Sequence, residues 1–217
     1  MKKANSKIEL SNIDIALFAL YKCGGISKKI HTEHIAWEAY SLAKERFSWR
    51  LPEFKGKGFP DKTPIRFALE AAKKKENGKL VTGRAGGDIN RPELEGWRFT
   101  PEGAEWIKKN EERIAKALKQ KAPDLPKLET DKFIRQLKSD PCFIAFMKDG
   151  NLNEVSSYMF TDILGCAPDA SKEIIQQKFD HLLTTAILVK DKEILRFLKG
   201  CAAKFVKLIA QKEDKGT

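Results

Sequence analysis

Apolar residues recur at three- and four-residue spacing in three segments of the first eighty residues, with polar residues between them. This spacing is typical of one face of an α-helix, and it predicts helices over 11–23, 32–47 and 63–76. Each predicted helix begins near a side chain that can accept a hydrogen bond from the free amides of the first turn. The predicted caps are Ser11 or Asn12, then Thr32, then Thr63 followed by Pro64.

The pattern then changes to the alternation that is typical of strands. Segments 79–83 and 96–100 predict two strands, and the polar, glycine-containing segment 84–95 predicts the long tip of a β-hairpin between them. Thr100 and Pro101 predict the start of a further helix that reaches about Lys121. Two prolines between 121 and 126 predict a linker behind it.

The remainder of the chain has only helical spacing. It predicts five helices at 130–138, 141–149, 152–164, 170–189 and 191–212, capped by Thr130, Asp140, Asn151, Asp169 and Asp191. The last two are strongly amphipathic and form either a hairpin or one long helix. The predicted fold is therefore mainly α with a small β-hairpin, divided into a domain over 1–122 and a helical bundle over 123–217.

Charge distinguishes the two halves. The 217 residues carry a formal net charge of +11, and residues 1–100 hold 20 Lys and Arg against 12 Asp and Glu. A basic half joined to a nearly neutral half is typical of a polyanion-binding module with a second function attached. A hydrophobic content of 41% excludes a wholly disordered chain.

Membrane and secretion signals are missing from the sequence. No apolar run reaches the roughly 18 residues that span a bilayer, and the basic N-terminus is not followed by the pattern of a signal peptide. We therefore expect no membrane association and a cytoplasmic protein that joins the nucleoid when it binds DNA. The four cysteines are widely spaced, which is typical of free thiols in a reducing compartment.

Catalytic and metal-binding motifs are weak. The chain lacks the glycine-rich phosphate loop that ends in Gly-Lys-Ser or Gly-Lys-Thr. The run Glu53-Phe54-Lys55 matches the acid-x-lysine of some nucleases but falls in a predicted loop, and His31, His34 and Glu38 lack a further ligand nearby. The sequence predicts no enzyme, no cofactor and no metal ion.

The run from Gly96 to Gly103, Gly-Trp-Arg-Phe-Thr-Pro-Glu-Gly, resembles the W-x-L-T-x-x-G end of the wing in many prokaryotic winged-helix proteins. The predicted element order over about residues 10–120 is also similar to the winged-helix, or winged helix-turn-helix, DNA-binding fold. This resemblance implies duplex DNA binding, with the third helix in the major groove and the wing near the backbone or minor groove. The loop at 48–62 departs from the pattern, because a helix-turn-helix has three or four residues there.

A rotation of 100° per residue places the polar residues of the third helix opposite its apolar ones. The candidate DNA contacts are Thr63, Arg66, Lys73, Lys74 and Asn77 on this helix, Lys79, Arg84 and Arg91 on the hairpin, and Lys55 and Lys57 in the 48–62 loop. Arg66 suits a guanine edge, whereas Lys73 and Lys74 suit phosphates. Glu70 repels phosphate unless it accepts from a cytosine amino group or pairs with a lysine.

These observations predict a duplex-DNA-binding protein, either a prokaryotic transcriptional regulator or the DNA-targeting subunit of a larger complex such as a restriction or phage-defence system. The C-terminal bundle would form a homodimer or hold a partner or effector, and two-fold pairing would set two third helices about one DNA turn apart. The alternative is a winged-helix adaptor that binds protein and no DNA. A nucleic-acid enzyme is a weaker third hypothesis.

Overall fold

The computed structural model describes residues 9–54, 57–86, 94–120 and 127–209, without the side chains of 127–131. The chain divides into two compact units, Met1–Pro123 and Asp124–Thr217. The elements of unit 1 are α1 (Asn12–Lys22), α2 (Thr32–Leu42), α3 (Lys44–Phe47), α4 (Lys62–Lys73), a 3₁₀ turn (Lys75–Asn77), β1 (Val81–Arg84), β2 (Gly96–Phe99) and α5 (Pro101–Ala117). The elements of unit 2 are α6 (Lys127–Lys138), α7 (Pro141–Asp149), α8 (Ser157–Ile163), α9 (Lys172–Val189) and α10 (Lys192–Lys204).

Helix α1 is the centre of unit 1. Its residues from Ile15 to Tyr21 are all buried, so the helix is covered on every side, and α2, α4 and α5 pack against it. Ser11 caps it as predicted, accepting from the Asp14 amide at 3.0 Å while the Asp14 carboxylate accepts from the Ser11 amide at 2.8 Å. This reciprocal pair satisfies free first-turn donors and sets where the helix begins.

The single helix predicted over 32–47 is wrong, since the chain contains two helices there. The backbone of Ala43 leaves the helical region after α2, and α3 then brings Phe47 into the core, where it is fully buried. The predicted cap is also wrong. His31 caps α2 through its Nδ1, whereas Thr32 is buried beneath the hairpin.

Helix α4 begins one residue before the predicted start. The Asp61 carboxylate accepts from the Thr63 amide at 2.9 Å, so Asp61 is the cap and Thr63 is not. Ile65, Leu69 and Ala72 are buried, as the spacing predicted.

The loop before α4 closes on itself at its base. Ser48 and Pro60 form a β-bridge, and the Trp49 indole Nε1 donates to the Pro60 carbonyl at 3.2 Å. The Trp49 ring also packs edge-on against Phe54 inside the loop. Because the two ends of the loop meet, its length does not separate α4 from α1 and α2, on which the helix packs.

The hairpin has a short antiparallel register that pairs Val81 with Phe99 and Arg84 with Gly96. Its first strand starts two residues later than predicted, because Lys79 has a left-handed backbone with a φ of 51°. A third segment, which the sequence pattern did not reveal, joins the sheet where Ile30 bridges Trp97. Helices followed by a hairpin and a final helix are compatible with a winged-helix-like layout.

The Thr-Pro-Glu-Gly run, residues 100–103, forms the connection between β2 and α5. Thr100 Oγ1 accepts from the Gly103 amide at 3.1 Å and donates to the Lys79 carbonyl at 2.7 Å. A Cβ at Gly103 would overlap the carbonyl oxygen of Leu80, so only glycine fits there. The cap and the glycine together fix α5 against the start of the hairpin.

In unit 2, the described residues form five helices that pack around aromatic rings. Phe160 stacks on Phe205 with 4.4 Å between ring centroids, and Phe197 contacts Phe143 and Phe146 edge-on. Two of the predicted caps are confirmed, since Asp140 caps α7 and Asp191 caps α10. Two are wrong by position: Ser156 precedes α8 where Asn151 was expected, and Ser171 precedes α9 where Asp169 was expected. Thr130 is also wrong as a cap, because it lies inside α6.

The last two helices of unit 2 are separate. Lys190 adopts a left-handed backbone with a φ of 58°, which ends α9 before the Asp191 cap starts α10. One continuous helix is therefore excluded. The mainly α fold with one small hairpin is confirmed for the described residues.

Substitution of Thr32 by Val tests the tie between the helices and the hairpin. Valine matches the shape of threonine but leaves the buried Trp97 indole N–H without its acceptor, so we expect the free energy of unfolding to fall by about 1–3 kcal/mol. All four tryptophans lie in unit 1, so tryptophan fluorescence in a urea titration reports that unit. The exposed Thr82→Val should change it by less than about 0.5 kcal/mol, and equal effects of the two substitutions would contradict the assignment.

Candidate nucleic-acid interface

Helix α4 presents its polar face to solvent. Thr63 and Arg66 are exposed along it, while its apolar face is buried against α1 and α2. The helix ends at Lys73, earlier than predicted, so Lys74 is its exposed C-cap and Asn77 lies in the 3₁₀ turn that follows. Glu70 is half-buried on the outer side. The structure thus brings the predicted residues of this helix onto one accessible surface.

Phe67 is the residue of this face that the sequence analysis missed. Its side chain is 60% exposed, and it lies one turn after Thr63 and two turns before Lys74. The guanidinium carbon of Arg66 lies 5.3 Å from the centre of the Phe67 ring. Helical rotation applied to every residue could have found it, because Ile65 and Leu69 already fill the buried side.

The charge of this region is strongly positive. Residues 62–84 hold seven Lys or Arg and two Glu. Lys62 pairs with the exposed Glu33 at 3.1 Å, and Lys74 pairs with the exposed Glu76 at 3.6 Å. Exposed pairs of this kind contribute little stability, so a phosphate can replace either carboxylate at low cost.

Two of the predicted contacts also hold the fold together. Lys73 Nζ donates to the Gly83 carbonyl at 2.8 Å and thereby ties the end of α4 to β1. Asn77 Nδ2 donates at 3.0 Å to the Ala71 carbonyl, which also accepts from the Lys74 amide at 3.1 Å, and so holds the turn after α4 against the end of the helix. Both side chains are exposed, so these bonds position cationic and polar groups at the surface.

Basic side chains also gather at the base of the hairpin. Arg84 is exposed, and its Nε donates to the Leu94 carbonyl at 3.3 Å, which Lys29 Nζ approaches at 3.5 Å. Lys79 is half-buried beside the start of β1. In the loop before α4, Lys57 lies with its Nζ 5.2 Å from the Phe54 ring. Two of the predicted contacts, Arg91 and Lys55, lie outside the described residues.

A hydrogen-bonded chain of four side chains fixes the base of the hairpin. The buried Trp97 indole donates to Thr32 Oγ1 at 3.0 Å, Thr32 in turn bonds the Glu95 carboxylate, and His31 Nε2 lies 3.3 Å from Glu95 Oε2. Burial of Glu95 opposes its ionisation, but the Thr32 bond and the nearby His31 outweigh it and lower its pKa below the ordinary 4.5. Glu95 is therefore ionised at neutral pH.

An open cleft of about 490 Å³ lies beside this chain of bonds. The cleft is lined by Cys23, Lys28, Lys29, Ile30, His31, His34 and Glu95. Burial, aided by Glu38, raises the pKa of the Cys23 thiol to about 11 and keeps it protonated. A protonated thiol is a poor nucleophile and a poor metal ligand. Among the described side chains, no three His, Cys, Asp or Glu lie together in a way that could hold a metal ion.

Comparisons with protein-family models, with curated proteins and with solved structures give no match for this chain. Within the described part of the chain, no helix combines the length and the apolar character needed to cross a bilayer.

Substitution of Glu95 by Gln tests the chain of bonds at the hairpin base. A carboxylate whose folded pKa is lowered stabilises the fold above its unfolded pKa, and this contribution is lost as the pH falls through the folded value. We expect the variant to be less stable by about 1 kcal/mol near neutral pH. The difference should shrink as the pH falls through the lowered pKa of Glu95 in the folded protein, because the carboxylate is then lost in the parent protein. Parallel stability profiles of the two proteins would contradict the role of the ionised carboxylate.

Proposed function

We propose that this protein binds duplex DNA through a winged helix in unit 1, with α4 entering the major groove and the hairpin lying against the backbone or minor groove. The observation that carries the proposal is the outward face of α4, where Thr63, Arg66, Phe67 and Lys74 are all exposed. None of these side chains is needed to fill the core. An α-helix fits the major groove, which is about 12 Å wide.

The roles of the side chains follow from their chemistry. The planar guanidinium of Arg66 can donate two hydrogen bonds to the O6 and N7 of guanine. Lys74 and Arg84 flank this helix face and the hairpin, and both suit phosphate oxygens. Lys73 bonds the Gly83 carbonyl and thereby connects the end of α4 to the first strand of the hairpin, so the two proposed DNA-contacting elements are adjacent.

Unit 2 has the partner role in this proposal. Large apolar side chains are exposed on several of its described helices, among them Ile144 and Met147 on α7, Tyr158 and Met159 on α8, and Ile174 on α9. Such residues favour contact with a second protein chain. A homodimer corresponds to a transcriptional regulator, and a different partner corresponds to the DNA-targeting subunit of a larger complex.

A second candidate function is that of a protein adaptor. Trp37 on α2 is 60% exposed and Phe59 before α4 is 54% exposed, and aromatic side chains are frequent at protein interfaces. In this function the basic surface of unit 1 would be incidental.

Binding of the full chain to a mixed-sequence duplex of about 25 base pairs, followed by fluorescence anisotropy across a salt series, separates the two functions. Neutralisation of several phosphates by Arg and Lys should give a log–log salt slope of about −4 or steeper. No binding at low salt would refute DNA binding and favour the adaptor.

Single substitutions separate base reading from phosphate contact. Lys74→Ala should weaken binding to all duplexes alike and reduce the salt slope by about 1. Arg66→Ala should cost roughly tenfold in affinity for a preferred duplex and relax its sequence preference. The exposed Lys178 of α9 supplies the control, since Lys178→Ala removes the same charge from unit 2 and should leave both measurements unchanged. An equal loss with the control variant would contradict the placement of the interface.

A further inference from the structure

Phe67 lies at the centre of the proposed DNA-reading surface. A helical rotation of 100° per residue puts Thr63 and Phe67 within about 40° of each other, on the side facing away from α1, and Lys74 follows as the exposed C-cap of the helix. Phe67 is the large apolar side chain on this face, and 60% of it is accessible to solvent. A single exposed apolar residue is ordinary on protein surfaces. Phe67 is informative because it lies among the basic side chains of the proposed DNA-reading surface.

Arg66 and Phe67 form one unit on the surface. The Arg66 guanidinium lies over the Phe67 ring at 5.3 Å from its centre, the arrangement of a cation–π contact. The contact is made through the ring and uses none of the guanidinium's hydrogen-bond donors, which can therefore still donate to a base. The contact therefore restricts both side chains before any ligand binds, which reduces the entropy lost on binding.

The charge around this pair identifies the class of ligand. Residues 62–84 hold seven Lys or Arg and two Glu, so the ring is surrounded by a surface suited to a polyanion. The thymine methyl is the large apolar group that a base pair of unmodified DNA presents in the major groove. A phenyl ring beside a guanine-reading arginine is complementary to a methyl-bearing pyrimidine next to that guanine.

We propose that Phe67 reads the C5-methyl group of a thymine, or of a 5-methylcytosine, adjacent to the guanine contacted by Arg66. This inference rests on the proposed function. It deepens that function by naming the DNA feature that the surface selects, a methyl-bearing pyrimidine beside a guanine. Glu70, half-buried on the same side of α4, adds an acceptor for a cytosine amino group in a neighbouring base pair.

The test changes the DNA before it changes the protein. Duplexes that the full chain selects from a pool randomised over about 12 base pairs are resynthesised with deoxyuridine in place of thymine, one position at a time. Uracil pairs as thymine does and lacks only the methyl group. We expect the affinity to fall about fourfold at the contacted position, the factor for losing one buried methyl group. A 5-methylcytosine at that position, in place of cytosine, should raise the affinity by a similar factor.

Protein variants then assign the methyl effect to one side chain. Phe67→Ala should bind the thymine and deoxyuridine duplexes equally, and because Phe67 is exposed the variant should retain the circular dichroism of the parent protein. Phe59→Ala removes a similarly exposed ring outside α4 and should keep the fourfold preference.

The outcomes distinguish this inference from the proposed function. Salt-dependent binding without enrichment of any sequence, or with equal affinity for thymine and deoxyuridine at every position, overturns the role of Phe67 and leaves DNA binding intact. A fourfold preference that persists in Phe67→Ala also overturns it. The absence of binding to any duplex overturns both.

Discussion

The structure of unit 1 depends on a single buried side chain, Trp97. Its indole is fully buried, its Nε1 donates to Thr32, and its backbone exchanges hydrogen bonds of 2.9 and 2.8 Å with Ile30. A two-stranded hairpin alone is marginally stable in water, so it needs a hydrophobic surface to pack on. Trp97 supplies that packing and connects the hairpin to the segment that enters α2.

The position of α4 relative to the hairpin follows from this attachment. Thr100 joins β2 to α5 and to the Lys79 carbonyl, and Lys73 joins α4 to β1. The Thr100 bonds connect the start of α5 to Lys79, just before the hairpin, and the Lys73 bond connects the end of α4 to β1. The proposed major-groove helix and the proposed wing are therefore positioned by the core itself. At the surface, Lys73 at the end of α4 and Asn77 in the turn behind it make structural hydrogen bonds. Arg66, Phe67 and Lys74 are consequently available for a ligand.

The candidate site was partly visible in the sequence. Helical spacing placed Arg66, Lys73 and Lys74 opposite the apolar side of α4, and their exposure agrees with that. Phe67 was missed because a phenylalanine in an amphipathic helix is ordinarily assigned to the core. Helical rotation nevertheless places its side chain opposite Ile65 and Leu69, so this signal was present in the sequence. The hydrogen bonds of Lys73 to Gly83 and of Asn77 to Ala71 join groups whose proximity depends on the turn after α4.

Local sequence determined the kinds of element and several of their ends. Periodicity set the helices and the hairpin, and the Ser11 box, the Thr100 cap and Asp191 set helix starts, because these signals act within one turn of backbone. Tertiary structure decided the features that depend on residues distant in the sequence. These are the bridge between Ile30 and Trp97, and the burial of Thr32 beside Trp97 in place of a capping role. The break at Ala43, which brings Phe47 into the core, is the third. In each case the chain gives up the structure that its local sequence favours and instead pairs a buried polar group or fills the core. A buried unpaired polar group or a cavity in the core costs more free energy than the loss of a helix cap.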